Sequence, residues 1–293
     1  MRAVHGLCLS FVPGLALAQP SLSSLWPNVD GTRWEYRVTV LDPTTNWTGA
    51  GTMRFDGSVE TPGGTAQVLF ASHPTPRGAA RAGGGGILGA IWRARPDLRP
   101  ALESKYGAQL TGEDSWWPLL IGPGYFMKAA SALQMWQPDW NHPTWTFATS
   151  DLGVGSTFMQ QLVPELADDV YLHGTVESID ATIATDAGTF EPAVRMGYVV
   201  DYGWSDGVDE NQLPIGRFRG EMHGRIHFAP DFGPVEEHEE FLPFVEIDCT
   251  PNTCPPAWTD LLGEVMATVD LSLTDTTVAV AERTFGQVKA LYR

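Results

Sequence analysis

The chain has 293 residues, 43% of them apolar, enough to bury a substantial core, which excludes intrinsic disorder. Its 18 Lys+Arg against 35 Asp+Glu give a formal charge of −17, a balance that repels phosphate backbones and anionic lipid surfaces and excludes nucleic acid as a partner. With 31 Gly, 22 Pro and 11% aromatic residues, the composition favours many strands joined by turns over long helices.

In chain order, the first twenty residues read MRAVHGLCLSFVPGLALAQP: one cation at Arg2, an apolar stretch from Leu7 to Leu17, and a small-x-small site at Ala16-Leu17-Ala18. This is the pattern of a signal peptide, residues 1–18, cleaved after Ala18, and it predicts an exported chain, periplasmic or extracellular. Cys8 sits inside the apolar stretch without the small residues a lipoprotein cleavage box needs before it, so lipidation is not expected. Residues 19–293 are expected to form a single β-rich domain.

From Arg33 the sequence alternates, with Trp34, Tyr36, Val38 and Val40 on one side of a strand and Arg33, Glu35, Arg37 and Thr39 on the other. Two more strands are predicted over 48–58 and 65–72, each ended by turn residues, which together suggest a meander. Between about 83 and 141 the character changes to a helical insert, opening on the glycine run 83–86 and continuing with apolar residues at roughly helical spacing. Its second half holds Trp116, Trp117, Trp136 and Trp140, and a short helix is predicted over 125–136, stopped near Pro138. Further strands are predicted over 144–148, 171–184, 194–202, 217–229, 235–242 and 263–273, with a short amphipathic helix in the closing ERTFGQVKALYR. Cys249 and Cys254, in DCTPNTCPP, are the two cysteines left after cleavage, and an even pair in an exported chain predicts a disulfide. No other stretch approaches the ~20 apolar residues of a membrane helix, so no transmembrane segment is expected.

The opening WPNVDGTRWEY (26–36) resembles the W/F-P-x-x-x-G-x-x-W-x-Y start of many uncharacterised secreted bacterial proteins. HFAPDFGPVEEHEEF (227–241) resembles their Y-A-P-x-x-G-P-V hairpin, and DAGTFEPAVRM (186–196) the G-T-F strand before it. The tail TFGQVKALYR is similar to a T-W-G-x-I-K-x-L-Y-R ending of exported proteins, with Phe285 in place of Trp. The resemblance implies a strongly curved antiparallel sheet, or an open half-barrel akin to periplasmic lipoprotein carriers, and implies no active site.

Three constellations can carry chemistry. In the predicted hairpin over 217–242, alternation puts Glu221, His223, Arg225 and His227 on one face. If its turn closes with Phe228 opposite Val235, His227 faces Glu236, Arg225 faces His238 and His223 faces Glu240. His223, His227 and His238 with Glu236 and Glu240 then suit either a transition metal in a hydrolase or a solvated face of cross-strand ion pairs. The acidic run DYGWSDGVDEN, with Asp201, Asp206, Asp209 and Glu210, offers calcium-type oxygens but lacks the EF-hand order, and reads as a surface loop. Trp116, Trp117, Trp136 and Trp140 suit either a groove for an apolar ligand or packing between insert and sheet.

GxSxG, HExxH, phosphate-loop and dinucleotide motifs are missing from the sequence, and no cofactor is implied. The leading expectation is a secreted or periplasmic non-enzymatic binding protein whose partner is a hydrophobic small molecule or lipid. The competing expectations are the metal-dependent hydrolase on the 217–242 hairpin and a structural envelope or surface protein.

Overall fold

The structure is a computed structural model that describes residues 25–27, 29–42, 45–72, 95–110, 124–128, 132–136, 145–149, 152–208, 214–246 and 267–278. Among the described residues, twelve strands form one sheet: β1 Arg33–Asp42, β2 Thr45–Thr61, β3 Gly64–Ser72, β4 Gly124–Lys128, β5 Ala132–Trp136, β6 Trp145–Thr149, β7 Thr157–Gln161, β8 Tyr171–Thr185, β9 Gly188–Val208, β10 Pro214–Ala229, β11 Gly233–Glu246 and β12 Ala267–Thr277. The spatial order is β6-β5-β4-β3-β2-β1-β12-β11-β10-β9-β8-β7, and every pair is antiparallel. Each strand therefore pairs with its sequence neighbour, and the first strand pairs with the last, leaving β6 and β7 as the two edges. Those edges approach each other, with the Thr146 backbone N–H donating to the Gln160 side-chain carbonyl across the seam. The antiparallel sheet is the one that strand alternation predicted, and its strong curvature is the one that the resemblance to secreted proteins implied.

The core sits on one face of this sheet because period-two alternation sends the same side of each strand inward. Trp34, Tyr36 and Val38 of β1, Met53 and Phe55 of β2, Val194, Met196 and Val200 of β9, and Leu271 and Leu273 of β12 are all buried. The two segments that resemble secreted proteins meet here. Trp26 packs edge-on against Trp34 at 6.4 Å and tilted against Phe228 at 5.6 Å, while Trp34 meets Phe55 at 5.6 Å. The Trp34 indole N–H donates to the Phe232 carbonyl at 2.5 Å and the Tyr36 hydroxyl to the Pro234 carbonyl at 2.8 Å. Each ring thus combines a large apolar surface with a polar tip that finds a backbone acceptor. The turn that presents those carbonyls needs left-handed backbone at Asp231 (φ 68) and Gly233 (φ 94), and a methyl at Gly233 would also press on the Trp34 ring. These motifs close one end of the sheet.

The same end is wrapped by the β8–β9 hairpin, which is longer than its neighbour. Phe228 of β10 is opposite Val194, so β9 residues before Val194 project beyond the β10–β11 turn. They curl around it: Phe190 packs on Phe232 at 5.3 Å, Ala187 N–H donates to the Leu273 carbonyl of β12, and Arg37 of β1 pairs with Asp186 at 2.5 Å. Register shifts between Val176 and Ser178, Ser178 and Ala181, and Ala181 and Ile183 supply the bend, as β-bulges do.

The insert is only partly helical. A 3-10 turn, Pro96–Leu98, leads into helix α1, Arg99–Leu110, within the region expected to be helical. The helix predicted over 125–136 is instead the hairpin β4–β5, with Tyr125 opposite Trp136 and Phe126 of β4 paired to Gln67 of β3. Aromatic and long apolar residues suit a pleated surface as well as a helix, and the exposed flank of β3 supplies the pairing partner that decides between them. The first part of the acidic run is corrected likewise: β9 continues into it to Val208, with Asp201 and Asp206 as strand residues opposite Glu221 and Arg217, while Asp209 and Glu210 lie outside the described residues.

Candidate functional site

The hairpin β10–β11 has the expected cross-strand pairs: His227 opposite Glu236, Arg225 opposite His238, His223 opposite Glu240. The turn differs by one residue, since Phe228 faces Pro234 and Val235 is taken up in a register shift beside His227. On the outer face each imidazole has its own carboxylate. His223 Nε2 lies 2.8 Å from Glu221, and His238 lies 2.5 Å from Asp270 through Nδ1 and 3.1 Å from Glu240 through Nε2. His227 is buried, with Nδ1 3.1 Å from Glu236 Oε2, an ion-pair distance without hydrogen-bond alignment. Partial burial lowers the His238 pKa, and its contacts with Asp270 and Glu240 overcome this and raise it above the ordinary imidazole value. Arg225 and Arg195 share Glu177, and Arg219 clasps Asp201 with Nε and Nη2 at 2.9 and 2.5 Å. Among the described residues, no three His, Cys, Asp or Glu side chains are arranged to hold a metal ion.

The inner face of the same hairpin holds what the sequence reading passed over. In EEHEEF, the alternation that turns Glu236, His238 and Glu240 outward turns Glu237 and Glu239 inward, opposite Ile226 and Gly224. Both carboxyls are 2% exposed. The Tyr198 ring, from β9, lies across Gly224, where a methyl group would run into it, and its hydroxyl reaches both side chains. Tyr198 Oη is 2.6 Å from Glu237 Oε1 and also bonds Glu239 Oε1. A phenol has one hydrogen, so it donates to one carboxylate, and the other contact requires a proton on the carboxyl itself. Burial, then the charge of Glu237, pushes the Glu239 carboxyl well above the ordinary carboxylate range. Burial, followed by the same glutamates, also raises the Tyr198 phenol, and burial followed by Glu237 raises that of Tyr36. Alternation alone would have revealed this cluster, since Glu237 and Glu239 share the periodicity of Val235 and Phe241.

The cluster stands where the inner face changes character. Val170 just before β8, Leu172 of β8, and Val200 and Tyr202 of β9 stay buried, and Arg95 locks the segment before α1 over that side. Arg95 Nη1 donates to Asp169 at 2.7 Å and to the Tyr202 carbonyl at 3.0 Å, while Nε and Nη2 hold Asp97 at 3.0 and 2.8 Å. On the next strands round, Glu239 is opposite Val269, Val269 is opposite Val40, and Val40 is opposite Trp47. Val269, Val40, Trp47 and Phe241 are all only partly buried. They form a continuous half-exposed apolar rim on β11, β12, β1 and β2, with the Tyr198 cluster beneath it. Of the tryptophans singled out for ligand contact, Trp136 closes β5, and Trp116, Trp117 and Trp140 lie outside the described residues. Cys249 and Cys254, the predicted signal peptide and the closing segment also lie outside them.

No family model matches the chain, and no curated protein does. Among solved structures, a Bacteroides fragilis protein described as exported and as having a YmcC-like fold is 13% identical, covering 86% of this chain and 98% of its own, at a TM-score of 0.37. A Parabacteroides distasonis protein described as a lipoprotein is 9% identical, covering 86% and 98%, at a TM-score of 0.31. A LolA-superfamily protein from Nitrosomonas europaea is 8% identical, covering 88% and 90%, at a TM-score of 0.25. Likeness at this level carries no inference about ligand or partner. Among the described residues, no helix is long and apolar enough to cross a membrane.

Proposed function

We propose that this chain is an exported, non-enzymatic binding protein that takes a hydrophobic ligand at the rim of its inner sheet face. The observation that carries the reading is the contiguity of Val40, Trp47, Phe241 and Val269, four half-exposed apolar side chains on neighbouring strands of one face. Contiguous apolar surface left partly in water is the form that ligand grooves take, whereas scattered exposed apolar residues are ordinary. The amino-terminal pattern of cation, apolar stretch and Ala16-Leu17-Ala18 supports export.

The test is organic extraction of the purified protein with mass spectrometry of what is released, paired with titration of an environment-sensitive naphthylamine probe. The expected result is a stoichiometric apolar species, or saturable probe binding, that Val269→Asp weakens without changing the far-ultraviolet circular dichroism. Absence of both a bound species and saturable probe binding overturns the proposal.

A further inference from the structure

A carboxyl group set into an apolar interior has to be neutralised, either by a proton or by a cation. Glu239 is 2% exposed, its Oε1 is bonded by Tyr198, and its Oε2 is buried without a hydrogen-bond partner. The cluster sits directly beneath the apolar rim, with Phe241 next along the same strand face and Val269 opposite Glu239 on β12. The groups around Glu239 are the carboxyl of Glu237 on the same strand, Tyr198 from β9, Tyr36 from β1, the apolar Ile226 and Gly224 from β10, and the apolar Val269 and Leu271 from β12. Arg219 and Arg225 of β10 are committed to Asp201 and Glu177 on the outer face.

We infer that Glu239 is the polar anchor of the ligand site and that the ligand is a cationic amphiphile: an apolar chain lying along the rim with a primary ammonium group at Glu239 Oε2. This rests on the binding reading above and names the ligand class of that site. In the free protein the one phenol hydrogen of Tyr198 serves two carboxyl contacts, so the cluster holds an additional proton. When an ammonium docks, it brings the positive charge that this proton supplied. The proton leaves to solvent, and charge in the apolar interior stays balanced. A fatty acid would bring a second negative charge to the same place, and a fatty alcohol would bring one donor and no charge. Discrimination therefore runs amine first, alcohol second and carboxylate last. A charge-assisted hydrogen bond is stronger than a neutral one by enough to separate amine from alcohol on the order of tenfold.

The experiment is isothermal titration of the whole protein with dodecylamine, dodecanol and dodecanoate, each below its micellar concentration, in buffers of different ionisation enthalpy. The expected result is the order amine, alcohol, carboxylate, with release of about one proton per amine bound and an affinity for the amine that rises with pH while the cluster holds its proton. Glu239→Gln should erase the preference for amine over alcohol and the proton release while leaving alcohol affinity in place. If that variant does not fold, the proton count in the native protein still decides. Equal binding of all three ligands, or amine binding without proton release, overturns this inference and leaves the binding function standing. Binding of none of them overturns both.

Discussion

Strands β10 and β11 present two faces built from the same residue types, and those faces differ in chemistry. Outward, Glu236, His238 and Glu240 meet His227, Arg225 and His223 in pairs that water reaches at every member except the buried His227. Inward, Glu237 and Glu239 share one phenol under apolar cover, and Glu239 is pushed well above the ordinary carboxylate range. The difference comes from environment, since solvent screens the outer charges and each already has a counter-charge. Of the residues that look chemical in the sequence, His223 and His238 are hydrogen-bonded to carboxylates, and the buried carboxyl pair lies one position away along the strand.

The comparison can be broken first where the inner face is most tightly built. Trp34 contacts Trp26 and Phe55 and donates to Phe232, so Trp34→Ala should cost roughly 3–5 kcal/mol of unfolding free energy in urea titration. A loss below about 1 kcal/mol would mean that the motif segments do not close the sheet end. Next is Gly224, over which the Tyr198 ring lies. Gly224→Ala should cost roughly 1–3 kcal/mol by displacing that ring, whereas alanine at outward-facing Thr39 should be close to neutral.

Acidity separates the faces further. Because the folded-state pKa of Glu239 is raised, the native protein binds more protons than the unfolded chain once pH exceeds the ordinary carboxylate value. Native stability therefore falls as pH rises from that value to the folded pKa, by up to about 1.4 kcal/mol per pH unit. Glu239→Gln should flatten this decline in chemical unfolding curves, and an unchanged pH profile would place the carboxyl in water. The smallest effect belongs outside. The raised pKa of His238 gives a contribution that is present below the ordinary imidazole value and lost as pH rises through the folded one. His238 is 44% exposed, so screening keeps the loss in His238→Gln below about 1 kcal/mol at acidic pH and near zero at alkaline pH.

Alternation made much of this fold legible. The faces of β1 and β12 and the three cross-strand pairs of β10–β11 follow from period two and a turn rich in Gly and Pro. What local pattern could not supply was the partner of the insert, where the flank of β3 recruits β4 and β5 into the sheet. The overhang of β8–β9 depends on bulges at Ser178 and Ala181, which carry no sequence signature. Glu237 and Glu239 were legible and overlooked, because acidic residues in a charged run read as solvated unless their face is followed residue by residue.

The most direct measurement is a carbon-13 NMR titration of carboxyl-labelled glutamate in the intact protein, with Glu239 assigned by the signal that disappears in Glu239→Gln. An inward Glu239 that shares the Tyr198 hydroxyl with Glu237 should titrate well above the ordinary carboxylate range. Titration of that signal within the ordinary range would show the residue in water and would contradict the division of this hairpin into a solvated face and a buried one.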